Sequence, residues 1–166
     1  MPLDLARLYD EHAPSLYAFL LNLTRSEVES RDAVQEVFVR LAQGPGRLKG
    51  MRDERAFLLR LAHNLAIDAL RRRTAHFQAV ERAGREPMEL FTAAVSPDEQ
   101  AFRDAVSTAI SVLPEEQRAV VHLKIWEDQT FAEIAETLGI PANTAASRYR
   151  YALDKLEGLL RPICAP

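Results

Sequence analysis

Cysteine is all but missing from this chain. Its one cysteine, Cys164, has no partner for an internal disulfide, which fits a reducing, cytoplasmic setting. Long apolar runs are missing too. The longest are a few residues, broken by Arg, Asp or Asn, so no membrane insertion is expected, and the N-terminus lacks the layout of a signal peptide. There is no alternating strand pattern, internal repeat or low-complexity tract. Nor is there a phosphate-binding glycine loop, a nucleophile motif or a cysteine cluster, and His12, His63, His76 and His122 are scattered. These absences weigh against an enzyme: no catalytic residue, no metal and no cofactor is expected.

What the chain does have is apolar residues, 48% of 166, enough for packed cores. Its net charge of −3 argues against nucleic acid until the distribution is considered. Between Arg40 and Arg73 nine basic residues face three acidic ones, Asp53, Glu54 and Asp68. Arg148, Arg150, Lys155 and Arg161 form a second group opposed by Asp154 and Glu157. Acid collects elsewhere, at Glu81 to Glu99 and Glu115 to Glu136. Such separation suits a protein that meets nucleic acid on two local surfaces, although solvated helix faces would look the same.

The periodicity is helical nearly throughout. Leu5, Leu8, His12, Leu16, Phe19, Leu20 and Leu23 follow three- and four-residue steps, with Pro14 expected to kink or divide the segment. Ser26 and Glu29 form a capping box for a second helix with Val34, Val37, Phe38 and Leu41 buried, ended by Gly44-Pro45-Gly46. A basic loop, Arg47 to Arg52, leads into a helix from about Asp53 to Arg73. Its buried face reads as Leu58, Leu61, Ala62, Leu65 and Ala69, and Arg60, Asn64, Asp68 and Arg71 make one polar stripe. From Thr74 to Val95 the pattern fades and reads as an interdomain linker. Ser96-Pro97-Asp98-Glu99 opens another helix to Leu113. Pro114-Glu115-Glu116 starts one that ends near Trp126. Phe38, Phe57, Trp126 and Tyr149 are expected in the core.

The most informative segment follows. Thr130 and Glu133 form a capping box on a short helix that turns Ile134, Ala135 and Leu138 inward. Gly139 fits the left-handed position that ends it, and Pro141 starts the next helix. There Ala145, Tyr149, Ala152, Leu153 and Leu156 form the inner face. Thr144, Ser147, Arg148, Arg150 and Tyr151 are left outside. This is the build of a helix-turn-helix, in which the second helix enters the major groove. The small Ala145, Ala146 and Ser147 would allow close approach, and arginine can read guanine with two hydrogen bonds. A plain helical hairpin with surface arginines is the bland alternative.

Leu113-Pro114-Glu115-Glu116-Gln117-Arg118, then Phe131 to Pro141, then Thr144 and Ser147-Arg148, resemble region 4 of the extracytoplasmic-function (ECF) sigma factors of the sigma-70 class. Asp32 to Phe38 and Phe57 to Arg73 resemble region 2 of the same family. The resemblance implies an all-α fold of two small helical domains, residues 1–73 and 96–166, joined by a linker over 74–95. It implies a transcription initiation factor whose partners are core RNA polymerase, through the β′ clamp helices and β flap, and promoter DNA. An anti-sigma factor is a further implied partner.

By that resemblance Asp32, Gln35 and Glu36 bind polymerase. Arg52, Arg55, Arg60, Asn64 and Arg71 handle the −10 element, with Asp68 assigned to helix-surface hydrogen bonding. Thr144, Ser147, Arg148, Arg150 and Tyr151 read the −35 element. The chain departs from the family at Phe57, where Trp is usual. It departs also at His63 and Ala146, where basic residues are usual, and at Asn143, where Gly is frequent. The alternatives are a helix-turn-helix regulator and a sigma-like protein without initiation activity. A regulator would need an effector domain in place of the region 2 pattern, and with so little chain after Arg161 no appended regulatory domain is expected.

Overall fold

The computed structural model describes residues 3–48, 50–77 and 97–164. Among them are seven α-helices, one 3-10 turn at Pro45–Leu48 and no strand, so the fold is all-α. The helices are α1 Leu5–Thr24, α2 Glu27–Gln43, α3 Glu54–Phe77, α4 Pro97–Val112, α5 Glu115–Ile125, α6 Phe131–Leu138 and α7 Ala142–Cys164. None is long and apolar enough to cross a membrane. The chain divides into two compact units, one carried by α1–α3, the other by α4, α5, α7 and most of α6. The expected linker at 74–95 is helical as far as Phe77, and its remainder lies outside the described residues, as does Ser96.

In the N-terminal unit each helix packs on the other two. Asp4 caps α1 by accepting from the Arg7 backbone N–H at 3.0 Å, and Ser26 caps α2 by accepting from that of Glu29 at 3.3 Å. Leu8, Leu16, Phe19, Leu20 and Leu23 of α1 meet Val34, Val37 and Leu41 of α2 in a buried core. Phe38 is only half-buried, its ring edge-on to Tyr9 at 5.0 Å. Pro14 does not divide α1. It sits on the exposed side, where water can satisfy the carbonyl that a proline leaves without its helix donor.

The buried face of α3 differs from the expected one. Leu58, Leu59, Ala62, Leu65, Ala66 and Leu70 are buried, whereas Leu61 and Ala69 are half-buried. The core is therefore centred between two neighbouring ridges of the helix. Arg73 closes this unit: its Nε donates to Glu29 Oε1 at 2.9 Å, a second nitrogen pairs with the same carboxylate, and a third reaches the Thr24 carbonyl. It thereby ties α3 to the α1–α2 corner, where Thr24 and Ser30 share a buried hydroxyl contact of 2.9 Å.

The C-terminal unit is built on Ala109, Ile110 and Leu113, Val121 of α5, and Ala152 and Leu156 of α7. Arg118, five residues beyond Leu113, is buried and donates to the Leu113 carbonyl at the end of α4. A buried cation on a helix C-terminal carbonyl satisfies an orphan acceptor and complements the helix dipole. Arg118→Ala should lower stability by about 2–3 kcal/mol, because it strands that carbonyl. Urea unfolding of the full chain would read this, and an unchanged midpoint would show that the carbonyl finds another donor.

Candidate nucleic-acid and polymerase interfaces

The second unit presents a helix-turn-helix whose local causes are visible in the chain. Thr130 Oγ1 accepts from the Glu133 N–H at 3.2 Å and starts α6. Gly139 ends it with φ +68°, and the Ile140 N–H returns to the Ala135 carbonyl at 3.0 Å. The Pro141 carbonyl then accepts from Ala145 and starts α7. Phe131 lies against Tyr149 at 5.6 Å between ring centroids, and the Lys124 ammonium sits 4.6 Å above the Phe131 ring.

On α7 the inward positions are Ala145, Ala152 and Leu156, with Tyr149 half-buried beside them. Leu153, expected with that set, is exposed, because one residue past Ala152 turns the side chain about 100° away from the core. Ala145 is wholly buried and cannot meet a groove; of the small residues expected there, Ala146 and Ser147 remain on the outer side, half-buried. The ridge opposite the core holds Asn143, Ser147 and Arg150, three and four residues apart. Thr144, Arg148 and Tyr151 form a flanking ridge. Arg148 turns toward α5, 3.9 Å from Glu116, while the Arg150 guanidinium lies 5.6 Å from the Tyr151 ring.

The first unit carries two further faces. On α3, Arg60, Asn64, Asp68 and Arg71 are all exposed and share one side, about 16 Å from first to last. Phe57, expected in the core, is half-buried one turn before Arg60 on the same side. The structure does not bring Arg55 to that stripe. It projects from the opposite side of the first turn, toward Ser15 Oγ at 3.5 Å. Arg52 is exposed in the loop before α3, and Lys49 lies outside the described residues.

On α2, Asp32, Gln35 and Glu36 are exposed together, with Glu36 held by Arg40 at 3.1 Å. Val28 and Val39, at 66% and 45% exposure, extend the same face at four-residue steps and escaped the sequence reading. The signal was available: both fall off the buried Val34–Val37–Leu41 stripe. Trp126 was also misplaced. It caps the C-terminal end of α5 and stacks on His122 at 5.3 Å, leaving its outer side exposed.

Residues 8–76 match the sigma-70 region 2 family and residues 103–156 match sigma-70 region 4. The chain is 34% identical over 160 residues to the ECF RNA polymerase sigma factor SigL of Mycobacterium tuberculosis, covering 94% of this chain and 88% of that protein. It is 29% identical to ECF sigma factor RpoE of Cereibacter sphaeroides, covering 92% and 83%. Among solved structures it is similar to the sigma factor RpoE of Bartonella quintana, crystallised with the anti-sigma factor NepR. There the TM-score is 0.81 at 20% identity, over 95% of this chain and 97% of that one.

The turn between α6 and α7 sets where α7 begins, so its chemistry can be tested alone. A Cβ at Gly139 would meet nothing within 4 Å, which leaves the left-handed backbone as the sole penalty. Gly139→Ala should cost about 1–2 kcal/mol, and Gly139→Asn less. Equal urea midpoints for parent and both variants would mean the turn does not need that conformation.

Proposed function

Because the chain belongs to the ECF family of RNA polymerase sigma factors, we propose that its two units divide promoter recognition between them. It is a transcription initiation factor, and a free-standing helix-turn-helix regulator is not favoured, since its N-terminal half matches sigma-70 region 2. Residues 1–73 would serve polymerase and the −10 element, 96–166 the −35 element, with 74–95 as the joint. The observation that carries this reading is α7 itself. Asn143, Ser147 and Arg150 stand opposite a buried Ala145–Ala152–Leu156 stripe, directly after a capped turn.

Arg150, exposed at the centre of that ridge, suits a base contact. Ser147 and Thr144 suit phosphate or base edges, and Tyr151 borders the groove contact. Arg148, drawn toward Glu116, suits a phosphate. On α3 the Arg60–Asn64–Arg71 stripe neutralises backbone phosphate and offers amide hydrogen bonds to an unstacked base, with Phe57 a candidate stacking surface. Arg52, exposed in the loop before α3, adds positive charge near that face, whereas Arg55 lies on the opposite side of the helix and is left out of it. Opening then needs no covalent chemistry, because capture of the single strand supplies the free energy. The exposed Asp32–Gln35–Glu36 group, flanked by Val28 and Val39, suits the β′ clamp helices, and the second unit the β flap. A solved fold relative is in complex with an anti-sigma factor, and an inhibitor of that kind belongs to the same proposal.

In vitro transcription with core polymerase is the primary test, and a chain that binds core but never initiates would defeat the reading. Arg150→Ala should cost about 1–3 kcal/mol at one −35 base pair, whereas Arg148→Ala should weaken all sequences alike. Neither should impair core binding, which Gln35→Ala with Glu36→Ala should. A −35 mutant panel with core-binding assays reads all three effects. Full discrimination retained by Arg150→Ala would put the reading face elsewhere on α7.

The α3 stripe makes a separate prediction. Arg60→Ala with Arg71→Ala should weaken open-complex formation and lower the slope of log affinity against log salt by about 2, one per lost phosphate contact. Promoter opening that keeps its parent salt slope would remove α3 from the phosphate path.

A further inference from the structure

We propose that Glu11, His12 and Glu54 form a binding site for a divalent first-row metal ion, best fitted to zinc, at the junction of α1 with the start of α3. The site goes beyond promoter recognition and uses none of the residues assigned to it. Glu11 and His12 are adjacent on α1, whereas Glu54 comes from the first turn of α3. The His12 Nε2 atom is buried and makes no hydrogen bond. It lies 3.7 Å from Glu11 Oε2 and 3.8 Å from Glu54 Oε2, and all three ligand atoms fall within 4.8 Å of one another.

Those separations are too long for hydrogen bonds. They are a few tenths of an ångström more than the roughly 3.4 Å between two ligands of a tetrahedral ion with bonds of about 2.0–2.1 Å. Rotation of the carboxylates would have to close these gaps and also bring the two carboxylate oxygens, which lie within 4.8 Å, to the same spacing. The donor set also selects. Two carboxylates favour a dication, an imidazole favours zinc or its neighbours over magnesium and calcium, and the lack of thiolate disfavours copper(I). Three protein ligands leave a fourth position for water.

The two carboxylates already share a cation. Arg7 Nη1 lies 2.8 Å from Glu11 Oε2, and Nη2 lies 3.2 Å from Glu54 Oε1. The Arg7 side chain is 44% exposed and sits on the same helix as Glu11, so it can swing out as an ion enters. Arg7 is therefore the metal's competitor. Loss of Arg7 would remove these ion pairs and at the same time strengthen metal binding, so the two effects can be read separately.

Titration calorimetry of the full chain with Zn2+ in a non-coordinating buffer tests this, with the visible absorption of Co2+ as a second readout. One ion per chain is expected, with the intense bands of tetrahedral Co2+. His12→Gln and Glu54→Gln should each weaken binding on the order of 100-fold, and Arg7→Ala should tighten it. Circular dichroism of each variant controls for folding. If His12→Gln does not fold, Glu54→Gln and Arg7→Ala decide. Three results would overturn the proposal: no saturable binding by parent or Arg7→Ala, binding that survives the ligand variants, or an affinity indifferent to Arg7.

Discussion

Helix α7 buries Ala145, Ala152 and Leu156 in the second unit, and the use of its outer side depends on that packing. A helix that reads DNA must be fixed in rotation, or its outer side chains sweep past the bases. Alanine at two of the three inward positions brings the backbone of α7 close to its neighbours, and the leucine supplies the larger area, about 1.5–3 kcal/mol if fully buried. The rotation thus set leaves Asn143, Ser147 and Arg150 on the far side. Arg118 and Gly139 act on the same constraint from its ends, one holding α4 to α5 and the other fixing where α7 starts.

The N-terminal unit fixes the rotation of α3 with three mutually packed helices. Burial along Leu58, Ala62, Leu65 and Ala66 orients α3 so that Arg60, Asn64 and Arg71 face solvent together. Arg73, only two residues beyond Arg71, is spent differently. Its pairing with Glu29 and Thr24 makes it a brace, although the basic run Arg71-Arg72-Arg73 reads as one patch. Neighbouring arginines with the same local composition therefore have unlike roles, decided by about 100° of helix rotation each.

Much of this was legible in the sequence because the causes are local. The Ser26 and Thr130 caps, the Gly139 turn and the polar stripe of α3 depend on residues within a few positions of one another. The misreadings have a different origin. Whether Pro14 breaks a helix depends on whether its side faces water; whether Trp126 is core depends on what lies past the end of α5. Phe57 and Leu61 were placed inward by periodicity, which gives the spacing of a stripe but not the rotation at which the core meets it. Arg55 follows the basic loop in sequence yet points to Ser15. The Glu11–His12–Glu54 cluster was invisible for the plainest reason: Glu54 lies 42 residues beyond His12, and only the packing of α1 on α3 unites them.

The charge balance bears on how such a protein can be specific. A chain of net charge −3 has little general attraction for DNA. Each of its basic faces is also modest, with Asp68 inside the α3 stripe and Asp154 one turn from Arg150 on α7. Either unit alone would give a weak, salt-sensitive contact. If each unit takes one promoter element as proposed, the second contact is intramolecular once the first is made, and two weak contacts multiply where both elements are present. On the proposed division of roles, thin positive charge would be a source of discrimination: it would make the complex depend on two correct sites instead of on phosphate, which every DNA sequence offers.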